Sequence, residues 1–184
     1  MSKLKSNPLP DYTRGEEVFN TVSHIVGGGF GVIALFLSVT LSLLHHNVWA
    51  VVSCSIYGLS MILVYTISSI YHGLKPGTAK KVLRILDHCT IYLLIAGTYT
   101  PILLCSIRQV SQPWAWTIFA IVWSCALVGL TLTAIDMKKF NVMSMICYLG
   151  MGWCIVIAAR TVIVAIPFWG LMWLLSGGIA YTLG

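Results

Sequence analysis

The sequence predicts an all-α integral membrane protein with six transmembrane helices and a cytoplasmic N-terminus. Three observations lead there. Hydrophobic residues make up 58% of the 184 and charged ones only 9%, whereas an ordinary soluble domain carries about 25% charge. A chain of this size has too little interior to hide that much apolar surface from water. Of the eleven Lys and Arg and the five Asp and Glu, all but Arg108 and Arg160 fall in three short clusters, with uncharged stretches of spanning length between them. Lys and Arg, finally, collect on alternate loops. The same composition excludes intrinsic disorder, which needs low hydrophobicity and many charges. It also argues against a secreted disulfide scaffold, because the six Cys are scattered through apolar stretches.

Taken in order, residues 1–20 read as a polar cytoplasmic segment and 21–184 as one transmembrane helical domain, with no internal repeat. Thr13-x-x-Glu16 has the form of a capping box, so a helix can start there at the interface and run on into the first span. No charged residue lies between Glu17 and Lys75. That gap holds two spans of about 20 residues each, placed at 21–44 and 48–71 around the polar turn His45-His46-Asn47. The third helix is expected at 87–107, with Pro101 kinking it towards its far end. The fourth (114–134) and sixth (168–184) follow Pro113 and Pro167, where a missing backbone N–H costs little, and the fifth occupies 142–164. Apolar runs this long exclude a transmembrane barrel, whose strands alternate over about ten residues.

Orientation follows from Lys and Arg in short loops. Nine of the eleven fall in the N-terminal segment, the 72–86 loop and the 135–141 loop, leaving Arg108 and Arg160 for the other side. This bias predicts a multi-pass protein of the bacterial cytoplasmic (inner) membrane. The basic balance is then a topology signal and an attraction to anionic lipid, not a sign of nucleic-acid binding.

A polar residue inside a span is expensive and marks function by default. His24 lies near the start of helix one, Ser68 and His72 close helix two one turn apart on one face, and Asp87 opens helix three. All four arrive at the same, cytoplasmic, membrane depth. Glu17, Asn20 and His24 are spaced i, i+3, i+7, as are Tyr65, Ser68 and His72, so each set forms one stripe. Imidazole, carboxylate and hydroxyl in a partly dry pocket suit a zinc ion with a bound water, His supplying a neutral nitrogen. Zinc would bring that water's pKa down to about 7. A plainer reading stands beside this one. A His next to Tyr at a helix end is often an interfacial residue, and Asp87 can simply cap helix three. One His, moreover, falls short of the three protein ligands that catalytic zinc usually takes.

The remaining polar groups are read structurally. His45 and His46 sit on the opposite side, and the Cys residues form no C-x-x-C pair and act as small apolar packers. Gly27-Gly28-Gly29 with Gly31, and Gly177-Gly178, are expected at close helix–helix contacts. His88 points about 100° away from Asp87 and is expected to face the loop or the headgroups.

At these residues the sequence resembles a bacterial member of the hemolysin III family, related to the progestin and adipoQ receptors. The matching stretches are Glu17-x-x-Asn20-x-x-Ser23-His24, Ser68-Ser-Ile-Tyr71-His72, and Leu86-Asp87-His88 through Thr98-Tyr99-Thr100-Pro101. Tyr148-Leu-Gly-Met-Gly-Trp153 and Gly177-Gly-Ile-Ala-Tyr-Thr-Leu-Gly184 also fit. The resemblance implies seven helices, a cytoplasmic N-terminus and one zinc ion near the cytoplasmic face. His72 then matches the metal ligand on the second helix, while Ser68 and Asp87 match residues around the metal and its water. Glu17, Asn20, His24 and Tyr65 are expected to support them. The related receptors and alkaline ceramidases imply hydrolysis of a lipid amide with zinc hydroxide as nucleophile.

The family's seventh helix, whose His-x-x-x-His pair supplies the other two zinc ligands, has no counterpart here. The sequence therefore reads as truncated, with an incomplete zinc site unless His24 or a partner chain contributes. The favoured expectation is a zinc-dependent membrane hydrolase with a lipid substrate, Asp87 orienting or activating the water. The alternative is a non-enzymatic protein of membrane homeostasis or lipid sensing with a structural metal. A cytolysin or a transporter fits less well, since there is no export signal and no acidic relay across the bilayer.

Overall fold

The computed structural model describes residues 9–184, so the first eight residues of the polar N-terminal segment lie outside the described residues. The described chain is helical, without strands, in six helical segments: α1 (Arg14–Leu44), α2 (Val48–Gly73), α3 (Thr78–Val110), α4 (Gln112–Asp136), α5 (Asn141–Ala165) and α6 (Phe168–Leu183). Helices α1 to α5 are long and apolar enough to cross a membrane. α6 is a shorter apolar helix of 16 residues, and it lies where the sixth helix is expected, so the all-α membrane architecture of about six helices stands.

The start of α1 is set by Thr13. Its backbone N–H donates to Glu16 Oε2 (2.7 Å), and the Glu16 N–H donates to Thr13 Oγ1 (3.3 Å), forming the expected capping box. The helix continues unbroken into the membrane, so Glu17, Asn20 and His24 do form one stripe. The turn to α2 falls at His45-His46-Asn47. His46 takes a left-handed φ of 50°, and the Asn47 side chain caps α2 by accepting from the Ala50 N–H (3.1 Å).

Helix α3 departs most from expectation. It begins at Thr78, nine residues before Asp87, because Pro76-Gly77 ends the preceding loop and nothing after it breaks the helix. Lys80, Lys81, Arg84 and Asp87 therefore lie on helix, and Asp87 neither opens nor caps it. At the other end, Pro101 has no N–H to give and crowds the carbonyl four residues back. The hydrogen-bond ladder widens into a π-helix over Ile102–Ile107 directly afterwards, which accommodates the proline within a continuous helix.

α3 is also the central helix. Tyr92, Ala96, Leu103 and Ile107 are fully buried on it, against Ala115, Ile118, Val122 and Ala126 of α4 and Met151, Cys154, Ile155, Ala158 and Val162 of α5. α2 packs on its other side, and α1 packs in turn on α2. At the α1–α2 contact, a Cβ on Gly27 would meet the Tyr65 ring at 2.7 Å and one on Gly31 would meet Ile62 at 3.3 Å. This face carries the close approach expected of the glycine cluster. Gly177 and Gly178 do not: the first has nothing within 4 Å and the second only Trp153 at 4.0 Å. The outward faces are apolar, with Phe19, Phe30, Phe36, Trp169 and Trp173 exposed. On the end away from the basic cluster, the Arg108 guanidinium lies 4.3 Å from the Trp49 ring centroid, and Trp49 meets Trp116 edge-on, an interfacial anchor.

Helix α5 is interrupted, which periodicity did not reveal. Its path tightens to 3-10 geometry over Cys154–Ala158, and the freed backbone groups are met by Tyr99 of α3. The Tyr99 hydroxyl donates to the Gly152 carbonyl (2.7 Å) and accepts from the Ile155 N–H (3.2 Å). In a bilayer such groups have no water to fall back on. Tyr99→Phe is therefore expected to destabilise the protein by about 2 kcal/mol, read as a lower thermal midpoint in detergent. An unchanged midpoint would show that α5 holds its broken geometry without Tyr99.

Candidate functional site

The polar groups converge where α1 enters, α2 ends and α3 begins, at the basic end of the bundle. Their centre is Glu17, 20% exposed, which faces inward because it continues the α1 stripe that packs on α2. Glu17 Oε2 accepts from Nδ1 of His72 at 2.7 Å, and Oε1 accepts from the Lys80 ammonium at 2.7 Å. The same ammonium donates to the Leu74 carbonyl (2.9 Å) and, more weakly, to the His72 carbonyl (3.4 Å). These three acceptors match the three N–H bonds of an ammonium. The two carbonyls belong to the C-terminus of α2, where a cation complements the helix dipole.

Aromatic rings close the cluster. The His72 ring lies 4.6 Å from Tyr71, 5.6 Å from Tyr12 and 5.7 Å from His24, the two imidazoles stacked at 24°. Tyr65 packs on His24 from one turn further into the membrane (5.8 Å), and the Lys80 ammonium sits 5.3 Å from the Tyr71 ring centroid. His24 turns its Nδ1 to the Asn20 carbonyl. A carbonyl only accepts, so the proton is on Nδ1. A carboxylate likewise only accepts, so His72 also carries its proton on Nδ1. In the neutral form of each ring, Nε2 then keeps its lone pair.

The sequence-derived residues divide accordingly. Glu17, His24, Tyr65 and His72 are brought together, and Asn20 contributes its main chain. Ser68 lies one turn from His72 on α2 and is buried, as His72 is. Asp87 is half-buried on α3, and its main-chain carbonyl accepts from the Thr90 hydroxyl (2.9 Å). Among the described residues no hydrogen bond or ion pair links Ser68 or Asp87 to His72; the carboxylate that holds His72 is Glu17. His88, expected at the loop or headgroups, has its Nδ1 shut off from solvent. Its main-chain carbonyl accepts from the Tyr148 hydroxyl of α5 (2.8 Å).

Lys80 is the member that sequence reasoning missed. It is buried, although Lys is almost never so unless paired. A signal existed: Lys80, Arg84 and Asp87 are spaced i, i+4, i+7, one face of a helix that begins before Asp87.

His72 fits a metal-ligand role in one respect. An imidazole whose Nδ1–H is held by a carboxylate is fixed in orientation and presents Nε2, the usual arrangement of a ligating histidine. The wider donor set does not complete a site: among the described residues, no three His, Cys, Asp or Glu side chains are grouped so as to hold a metal ion. Apart from this cluster, an apolar cavity of about 620 Å³ opens between α3, α5 and α6, lined among others by Leu94, Tyr99, Tyr148, Trp153, Trp173 and Tyr181.

Comparison with known proteins agrees with this architecture. The family described as "Haemolysin-III related" matches residues 12–184. Hemolysin-3 of Bacillus cereus is 37% identical over 169 residues, covering 92% of this chain and 76% of that protein. The Hemolysin-3 homolog of Bacillus subtilis (strain 168) is 35% identical over 173 residues, covering 94% and 80%. No solved structure matches. With its family matched across nearly the whole described chain and its five long apolar helices, this multi-pass membrane protein belongs to the haemolysin III-related family.

Proposed function

We propose that the cluster at the basic end of α1–α3 is the working site of a zinc-dependent hydrolase that acts on a lipid of amide type. The bundle would sit in a bacterial inner membrane with this end in the cytoplasm. The observation that carries the reading is the 2.7 Å contact between His72 Nδ1 and Glu17, which turns Nε2 of a buried imidazole into an available ligand. Bound zinc would supply a water that is acidic enough to act as hydroxide near neutral pH. This chain's residues would do the rest. His72 would give one ligand, Asp87 would orient or activate the water, and Ser68 would stand beside it. The donors still needed come from outside the described grouping. A lipid substrate is supported by the apolar cavity, which reaches Tyr148, the residue bonded to His88 next to Asp87.

A second reading has its own observation. Glu17, His72 and Lys80 join three helices, which is what a structural clamp in a non-enzymatic lipid-homeostasis protein would do. Zinc per chain, measured by elemental analysis on detergent-purified protein beside His72→Ala, tests the first reading. Near one zinc per chain, lost in the variant, is the expected result. Equal zinc in the two proteins would remove His72 as a ligand. If zinc binds, Asp87→Ala separates an enzyme, which loses turnover, from a structural site, which loses stability.

A further inference from the structure

The Lys80 ammonium contacts His72 at both ends. It bonds the His72 main-chain carbonyl (3.4 Å) and it bonds Glu17, whose other oxygen holds the ring. Nothing in α3 itself calls for a cation there. Lys80 is in the first turn of α3, where the helix dipole disfavours positive charge, and burial adds a desolvation cost. Its partners on α1 and α2 compensate: the Leu74 carbonyl and the Tyr71 ring, and two that lead to His72, its main-chain carbonyl and the Glu17 carboxylate that holds its ring. Without the ammonium, the Glu17 carboxylate would keep a single bond to His72 and could rotate towards water, being 20% exposed.

We propose that Lys80 is a positioning residue: by clamping Glu17 and the end of α2 it locks His72 in the Nδ1–H tautomer, with the Nε2 lone pair free in the pocket. The functional meaning of that tautomer rests on the proposed metal role of His72, whereas the tautomer itself does not. Conversely, the opposite tautomer, Nε2–H, would block ligation through Nε2 altogether.

The test reads the tautomer directly. Protein labelled with 15N-histidine is stripped of metal with a chelator and held in detergent at about pH 8. Two-bond 15N–1H correlation spectra are recorded, and the His72 signals are assigned by their loss in His72→Ala. The expected wild-type result is a pyrrole-like Nδ1 and a pyridine-like Nε2, the favoured tautomer exceeding the other by about tenfold or more, as a charge-assisted hydrogen bond implies. Lys80→Met is expected to lower that ratio several-fold, and Lys80→Arg to restore most of it. If Lys80→Met does not purify as a single species, Lys80→Gln, which keeps a donor but no charge, gives the same comparison. A wild-type Nε2–H tautomer, a doubly protonated ring, or an unchanged ratio in the uncharged variant would each overturn the proposal. Failure of zinc to bind would leave this result standing, while zinc binding with the wrong tautomer would overturn the positioning role alone.

Discussion

Glu17→Ala is expected to lower the stability of the protein by about 3 kcal/mol or more, the penalty for leaving one half of a buried ion pair behind. The Lys80 side chain is 5% exposed, so once Glu17 is gone its ammonium keeps only the two α2 carbonyls and has little water to turn to. His72 loses the acceptor of its Nδ1–H at the same time. Lys80→Met is expected to cost less, because a thioether fills the same space without a charge to solvate and the Glu17 carboxylate, 20% exposed, can reach water. The double variant Glu17→Ala/Lys80→Met should then be more stable than Glu17→Ala alone, a non-additivity of the kind that groups in direct contact produce. The neighbouring Glu16 provides the comparison. Its carboxylate caps the exposed start of α1, so Glu16→Ala should lower the midpoint far less than Glu17→Ala. Thermal midpoints in one detergent decide the matter. Equal losses at Glu16 and Glu17 would mean that the cluster does not hold α1 to α2 and α3.

The helical class and most element positions were legible in the sequence because they depend on where charge is absent. The uncharged gap from Glu17 to Lys75, the His45-His46-Asn47 turn and Pro113 in the first turn of α4 all rest on local chemistry. Three features were not legible for the opposite reason: their cause is tertiary. Lys80, Lys81 and Arg84 looked like loop charges, since a cation inside a helix end is ordinarily solvent-facing, and only a partner carboxylate on another helix permits Lys80 to be buried. The break in α5 lies in a run with no proline, and it is stabilised by Tyr99 from α3. The assignment of Asp87 as the carboxylate beside His72 came from placing both at helix ends. The helix starts at Thr78, so Asp87 lies more than two turns along it rather than at its opening, and the carboxylate bonded to His72 is Glu17. What was correct at the site was the α1 and α2 stripes, because both helices run without interruption and preserve the i, i+3, i+7 spacing.

The packing around α3 makes a prediction of comparable size to the first. Gly129 of α4 faces the ring of Tyr92, which is fully buried, and a Cβ at that position would overlap the ring atoms Cε1 and Cζ. The ring cannot swing aside freely. It packs against Tyr148 with centroids 4.4 Å apart, and its hydroxyl accepts from Thr133 (3.5 Å), which in turn bonds Ser144 of α5 (3.0 Å). Overpacking in such a core costs about 1–3 kcal/mol, so Gly129→Ala should destabilise by about 2 kcal/mol and Gly129→Val by more. Gly150 of α5 has nothing within 4 Å of its would-be Cβ, and Gly150→Ala should stabilise by up to about 1 kcal/mol through helix propensity alone. The two substitutions are chemically identical and sit in apolar helices of one bundle, so their opposite signs would come from the neighbouring ring and nothing else. Thermal midpoints of the two variants moving in the same direction would show that α4 is not seated on Tyr92 as described. With α4 displaced, the α3 face carrying Lys80 would lose its rigid support, and the Glu17→Ala penalty would fall with it.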